Sequence, residues 1–173
     1  MKLVVGLGNP GEKYKNSRHN AGYLVVDQLK TRISNFQFPR PKATKFSNQL
    51  KIFKSDKFMN ESGSCIDVLL HEYKVDLSNL YVIHDDLDIP LGSFKIQFGV
   101  GPKVHNGVNS VEEALGTKEF WRVRVGVDNR KSDDRTLGED YVLQDFTNEE
   151  RSILDKTIKE ACKKLATSLT NTN

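Results

Sequence analysis

"VVGLGNPG", residues 4–11, carries an apolar stretch straight into Gly6-Leu7-Gly8-Asn9-Pro10-Gly11. The glycines spell G-x-G-x-x-G, the spacing of a dinucleotide-binding turn, so these residues decide between a cofactor fold and another use of an α/β sheet. That turn works only where a helix opens at its glycines, aiming an N-terminus at a pyrophosphate, and where an acidic residue ends the next strand. Pro10 suits a first helical turn, but Glu12 to Arg18 carry no apolar stripe. Asp27, at roughly the right distance, falls inside the following helical pattern instead of at a strand end. Both conditions fail. The glycines instead bend the chain at a strand's C-terminal end, presenting Asn9 and the later His19-Asn20 beside the sheet, where α/β proteins hold ligands.

Outward from this turn, Leu3 to Leu7 reads as a short buried strand, and Gly8 to Asn20 as a polar loop too long for an ordinary connector. Gly22, Val26, Leu29 and Ile33 recur with helical spacing and predict a helix over 21–33. Pro39 and Pro41 mark an irregular link. Phe46, Leu50, Ile52 and Phe53 predict two short strands, with Ser47-Asn48 as a tight turn. Ser62 is read as the cap of a helix carrying Ile66, Leu69, Leu70 and Tyr73, with Cys65 on its apolar face. Leu80 to Ile83 is a buried strand ending in His84-Asp85-Asp86. Phe94 to Phe98 and Trp121 to Val127 alternate as further strands, and a loop over 99–107 leads into a helix over 108–115. Thr147 starts a terminal helix with Ile153, Leu154, Ile158, Ala161, Cys162 and Leu165 on its apolar side.

The expected fold is therefore α/β: a single domain over 1–173, with a mixed twisted β-sheet flanked by helices in three α/β/α layers. Periodicity leaves the strand order open. The chain of 173 residues is 37% hydrophobic and 28% charged, with no apolar run long enough for a membrane span. No signal-peptide pattern opens it. Cys65 and Cys162 form no metal or redox spacing, which suits a reducing, cytoplasmic compartment. Net charge is only +3. Lysines gather at 42, 45, 51, 54 and 57, and again at 156, 159, 163 and 164, the latter read as a solvated helix face.

Four segments place polar groups at strand ends or before helices: the first loop, Phe58-Met59-Asn60-Glu61-Ser62-Gly63, His84-Asp85-Asp86-Leu87-Asp88, and His105-Asn106-Gly107. Each has a bland reading as turn or cap chemistry; Asp86 or Asp88 alone could be a solvated turn residue. Covalent catalysis has no support, because no G-x-S-x-G elbow occurs. The His-Asp-Asp run invites a metal, yet no H-E-x-x-H or paired ligand spacing accompanies it. A general base remains the economical mechanism. A neutral histidine takes a proton from water attacking a carbonyl, an aspartate orients its ring, and asparagine amides hold the carbonyl or the water. Such a set suits an activated ester better than an unactivated amide.

Taken in order, "GLGNPGEKYKNSRHNAG", "FMNESG", "HDDLDIPLG" and "HNGVNSV" resemble bacterial-type peptidyl-tRNA hydrolase, over about residues 2–147. The resemblance implies a cytoplasmic, monomeric enzyme, independent of metal or other cofactor and of any protein partner. It would cleave the ester between a peptide and the 3′ ribose of tRNA, so that peptidyl-tRNA is the partner and tRNA is recycled. It makes His19 the general base, and Asp85 the group that stabilises its proton-accepting form. Asn9 would contact the peptide backbone, and Asn106 would orient water or the scissile carbonyl. Tyr14, Phe58 and Asn60 would line the cleft for the 3′ end and first peptide unit, and Arg124 would contact tRNA phosphate. The chain departs from the family pattern at "GPKVHNG", where Lys103 and Val104 replace small residues, at Asn109, and at Gln97, where a phosphate-contacting lysine is usual. The segment before "FMN" is short and lacks a Pro-x-Thr. A catalytically weak RNA-binding module on the same fold is the alternative these departures raise.

Overall fold

The computed structural model describes residues 1–35 and 49–170. Among these residues five strands form the sheet: β1 (Lys2–Gly6), β2 (Leu50–Lys54), β3 (Leu80–Pro90), β4 (Phe94–Phe98) and β5 (Trp121–Asp128), in the order β2-β1-β3-β5-β4. All are parallel to their neighbours except β4, which pairs antiparallel with β5 at the edge. Among the described residues five α-helices accompany them: α1 (Ala21–Asn35), α2 (Ser62–Tyr73), α3 (Asn106–Leu115), α4 (Gly138–Leu143) and α5 (Asn148–Thr170).

Strand alternation sorts the apolar residues into two layers. Val4, Tyr81, Ile83, Val123 and Val125 face α1 and α5 and bury Val25, Val26, Leu29, Leu154, Ile158 and Leu165. Leu3, Val5, Leu80 and Val82 point the other way, onto Ile66 and Leu70 of α2 and Val108 and Val111 of α3. The mixed three-layer sheet expected from the sequence is the observed one. Its close approach depends on Gly22, where an added Cβ would lie 2.4 Å from the Ile83 carbonyl oxygen and 2.5 Å from that of Leu7.

Order and connection together create a crevice. From β1 the chain crosses through α1 to β2 on one side, then returns through α2 to β3 on the other. The C-terminal ends of β1 and β3 thus diverge, and ligands bind at such switch points in open α/β sheets. No helix begins at the opening glycines. After β1 the chain makes two single 3-10 turns, Glu12–Tyr14 and Arg18–Asn20, before α1 starts at Ala21.

Several expectations are corrected. Ser62 is the first residue of α2 and not its cap; its hydroxyl donates to the Met59 carbonyl at 2.8 Å. β3 continues past His84-Asp85-Asp86 to Pro90, so Asp86 is a fully buried strand residue and not a solvated turn. Cys65 is half-buried and Ile153 is 43% exposed, so neither belongs to the core. α3 starts two residues earlier than its apolar pattern, because His105 caps it: its side chain accepts from Val108 N–H at 3.1 Å. α4 was not foreseen, being one short turn and a half without a repeating stripe. Thr147 does begin α5, and does so reciprocally, its hydroxyl accepting from Glu150 N–H while Thr147 N–H donates to the Glu150 carboxylate. Lys156, Lys159, Lys163 and Lys164 lie exposed along α5 as a solvated face. Lys42, Lys45, Phe46, the Ser47-Asn48 turn and the Pro39 and Pro41 link fall outside the described residues.

Candidate active site

Two histidines converge on one carboxylate, and a third stands beside them. Asp85, 1% exposed near the middle of β3, holds His19 Nδ1 and His105 Nε2 each 2.9 Å from the same oxygen, Oδ1. The rings of His19 and His105 are 5.0 Å apart, and His84 stands edge-on to His105 at 5.0 Å. His84 Nδ1 donates to the Asp85 carbonyl at 2.6 Å.

The proton positions follow from this network. Burial alone would raise the Asp85 pKa, but the His19 and His105 rings beside it hold it below the usual carboxylate range. As an ionised carboxylate it can only accept. His105 Nδ1 already accepts from Val108 N–H, so its proton sits on Nε2 and points at Asp85. His19 must likewise donate through Nδ1, which leaves its Nε2 as a free lone pair. Burial would lower the His19 pKa; the charge and hydrogen bond of Asp85 outweigh it and raise the value above 6.5. His84 goes the other way. Complete burial, reinforced by His105, pushes it down to about 3, so it stays neutral.

His19 is set by the 3-10 turn Arg18–Asn20, whose three side chains diverge. Arg18 Nη2 donates to Glu150 Oε2 at 2.6 Å and its guanidinium lies 4.1 Å from the Tyr141 ring. His19 reaches Asp85. Asn20 reaches back to the opening loop, accepting from Asn9 N–H at 2.7 Å and donating to the Asn9 carbonyl at 3.0 Å. Backbone bonds from Arg18 N–H to Gln144 O and from Phe146 N–H to Asn16 O stitch the same turn to the chain after α4. Asn9 Oδ1 accepts from Met59 N–H at 2.8 Å, so its amide NH2 is the part left to face a ligand. Gly107 allows this convergence, since a Cβ there would lie 2.4 Å from Met59 Sδ.

A groove of about 860 Å³ opens over the cluster. Asn9, Tyr14, His19, Phe58, Asn60, Asp85 and Asn106, all singled out in the sequence, line it together. Tyr14 and Phe58 meet edge to face at 6.4 Å. Arg124 is not among the lining residues. Its side chain is 8% exposed, its Nε donates to Asp86 Oδ2 at 2.7 Å and its Nη1 to Gln97 Oε1 at 2.9 Å. The departure at Gln97 explains that placement: a lysine there could only donate and would repel the guanidinium, whereas glutamine accepts from it. Sequence reasoning missed His105 as the second donor to Asp85, and the wall formed by Leu87 and α4. The first stood in plain view beside Asn106; the second had no periodic signal.

A buried imidazole–carboxylate pair at the switch point of a parallel α/β sheet, faced by amides across an open groove, gives an α/β fold a site chemically able to accept and return a proton. Comparison with known proteins narrows the class. The family model described as peptidyl-tRNA hydrolase matches residues 3–173. The peptidyl-tRNA hydrolase of Aliarcobacter butzleri is 40% identical over 162 residues, covering 92% of this chain and 87% of the relative. That of Bacillus cereus is 39% identical over 167 residues, 93% of this chain and 89% of the relative. The crystal structure of peptidyl-tRNA hydrolase from Acinetobacter baumannii superposes with a TM-score of 0.75 at 27% identity, over 96% of this chain and 87% of that one. The chain belongs to the peptidyl-tRNA hydrolase family.

Proposed function

We propose that this chain hydrolyses the ester between a peptide and the 3′ end of tRNA, with His19 as the general base. What carries the reading is the proton chain. Val108 N–H commits His105 Nδ1, His105 and His19 both donate to Asp85 Oδ1, and His19 Nε2 is left unprotonated at the groove. Water bound there loses its proton as it attacks the carbonyl, and Asp85 stabilises the imidazolium that forms. The imidazolium then returns the proton to the departing ribose oxygen. Asn9 offers its amide NH2 to a peptide carbonyl, and Asn106, at the start of α3, orients the water or the scissile carbonyl. Contacts through amides need no particular peptide sequence.

Tyr14, Phe58 and Asn60 receive the single-stranded 3′ end, for which aromatic faces are suitable platforms. Among the described residues, the groove lining holds three carboxylates and no lysine or arginine, so phosphates belong outside it. Exposed Lys13, Lys57 and Lys103 each adjoin a lining residue and would supply that contact, weakening with salt. Arg124, committed to Asp86, serves as a support for the end of β3. The alternative, a catalytically weak RNA-binding module on the same fold, is less favoured, because the groove lining among the described residues carries carboxylates and no lysine or arginine.

His19, Asp85 and His105 bring ligand atoms within 4.8 Å of one another, close enough to share a metal ion. Their tautomers oppose it. A cation on His105 Nε2 would drive the proton to Nδ1 and strand Val108 N–H, at a cost of about 1–3 kcal/mol. Both cysteines are free thiols; the family resemblance implies a cytoplasmic, monomeric enzyme. The test is release of tRNA from N-acetylaminoacyl-tRNA, compared with free aminoacyl-tRNA. His19→Ala should lower kcat by about 10²–10⁴, and turnover should persist under a chelator. Full activity in that variant would remove histidine as the base.

A further inference from the structure

The groove is apolar where the chain departs from its expected pattern. Of the nine exposed large apolar side chains among the described residues, four line this one groove: Phe58, Val104, Leu137 and Leu143. Val104 is the most exposed of the nine, at 78%, and Leu137 follows at 62%. A β-branched side chain held open on the loop before α3 gains burial only when something enters. Concentrated apolar surface of this kind marks a binding site.

We propose that Val104, Leu137 and Leu143 form an apolar jaw that grips the side chain of the amino acid esterified to the tRNA, giving this chain a preference for large aliphatic residues there. The proposal rests on the hydrolase reading above. Its position selects the occupant. Val104 immediately precedes His105, whose ring is bonded to Asp85, so the jaw opens beside the reacting centre. The attacked carbonyl carbon is bonded directly to the α carbon of the esterified residue. That residue's side chain therefore emerges within a side-chain length of His19. Among the described residues the lining has three carboxylates and no lysine or arginine, which disfavours phosphate in the same space. Leu137 and Leu143 come from the other wall element, α4 and the residue before it, so the grip has two sides. A small residue at 104, as the family pattern has, would leave one side open.

The test compares one and the same tRNA carrying either an N-acetyl-leucyl or an N-acetyl-glycyl ester. A half-open apolar site discriminates at the lower end of the usual range, so kcat/KM should favour the leucyl ester about 10-fold. Val104→Gly and Leu137→Ser should each reduce that ratio about threefold or more, while Val104→Ile keeps it. Both positions are exposed, so folding is not at stake, and the ratio is an internal control for protein quality. A ratio near one in the unaltered chain, or one unmoved by both substitutions, overturns the jaw. So does an equal loss on both esters, which would assign these side chains to the shared terminal adenosine. No tRNA release from either ester would instead refute the hydrolase reading itself, and the jaw with it.

Discussion

Asp85→Asn is the most informative single change, because the surrounding donors dictate how the new amide must sit. His105 Nδ1 is held by Val108 N–H, so His105 can only donate toward residue 85, and His19 donates to the same oxygen. The amide therefore keeps its oxygen at that point and turns its NH2 away. His19 retains its tautomer, and what disappears is the charge. Unit charges about 4 Å apart at an effective dielectric near 20 attract by about 4 kcal/mol. The surviving neutral hydrogen bond offsets about 1 kcal/mol of this. About 3 kcal/mol is then lost from the step that creates the imidazolium, or roughly 10²-fold in kcat. KM should change little, since the carboxylate is 1% exposed behind the base. The assay is tRNA release from N-acetylaminoacyl-tRNA across about pH 5 to 9. With Asp85 in place the base is neutral only above a pKa raised beyond 6.5, so the rising limb lies above that value; in the variant it moves to lower pH. An unchanged kcat or an unmoved limb would refute the charge argument. A loss of about 10⁴, the mark of a wrong tautomer, would refute the forced orientation.

Acid stability tests His84 and the tie behind His19. His84 is neutral when folded, its pKa pushed down to about 3 from 6.5, so the unfolded chain binds the extra proton between those values. Its contribution is complete above pH 6.5 and is lost as pH falls toward 3, by about 2 kcal/mol at pH 5. His19, with its raised pKa, acts oppositely: its contribution is complete below 6.5 and lost as pH climbs through the folded value. Urea midpoints at pH 7 and 5 should fall for the unaltered chain and fall less for His84→Gln; equal slopes would contradict the buried neutral ring. Glu150→Ala strands the buried Arg18 guanidinium, 4% exposed, and should cost about 3–5 kcal/mol. A urea midpoint unchanged in that variant would show that the pair does not anchor the turn.

The path from residues to site was uneven in a way the physics explains. Asn9, His19 and Asn106 stand at a strand end and at helix starts, and Asp85 follows the apolar run that opens β3, positions that local pattern locates, so they could be singled out segment by segment, while the roles expected of them came from the family resemblance. His105 could not be separated from ordinary helix-start chemistry, because its function comes from meeting a carboxylate 20 residues away in the chain. Arg124, expected to contact phosphate, shows the same limit. A basic residue on a strand reads as available, and only the fold shows Asp86 and Gln97 already engaging it.

The amino-acid order by itself determined the three layers and the abandonment of the dinucleotide reading, because alternation, helical spacing and the missing stripe after Gly8 are short-range properties. It also carried the family resemblance in four local motifs. Strand order, the crevice between β1 and β3, the shared oxygen of Asp85 and the apolar jaw were decided only by tertiary structure. Each depends on groups far apart in the chain meeting at a few ångströms, and hydrogen bonds, charges and burial act over those distances without regard to sequence separation.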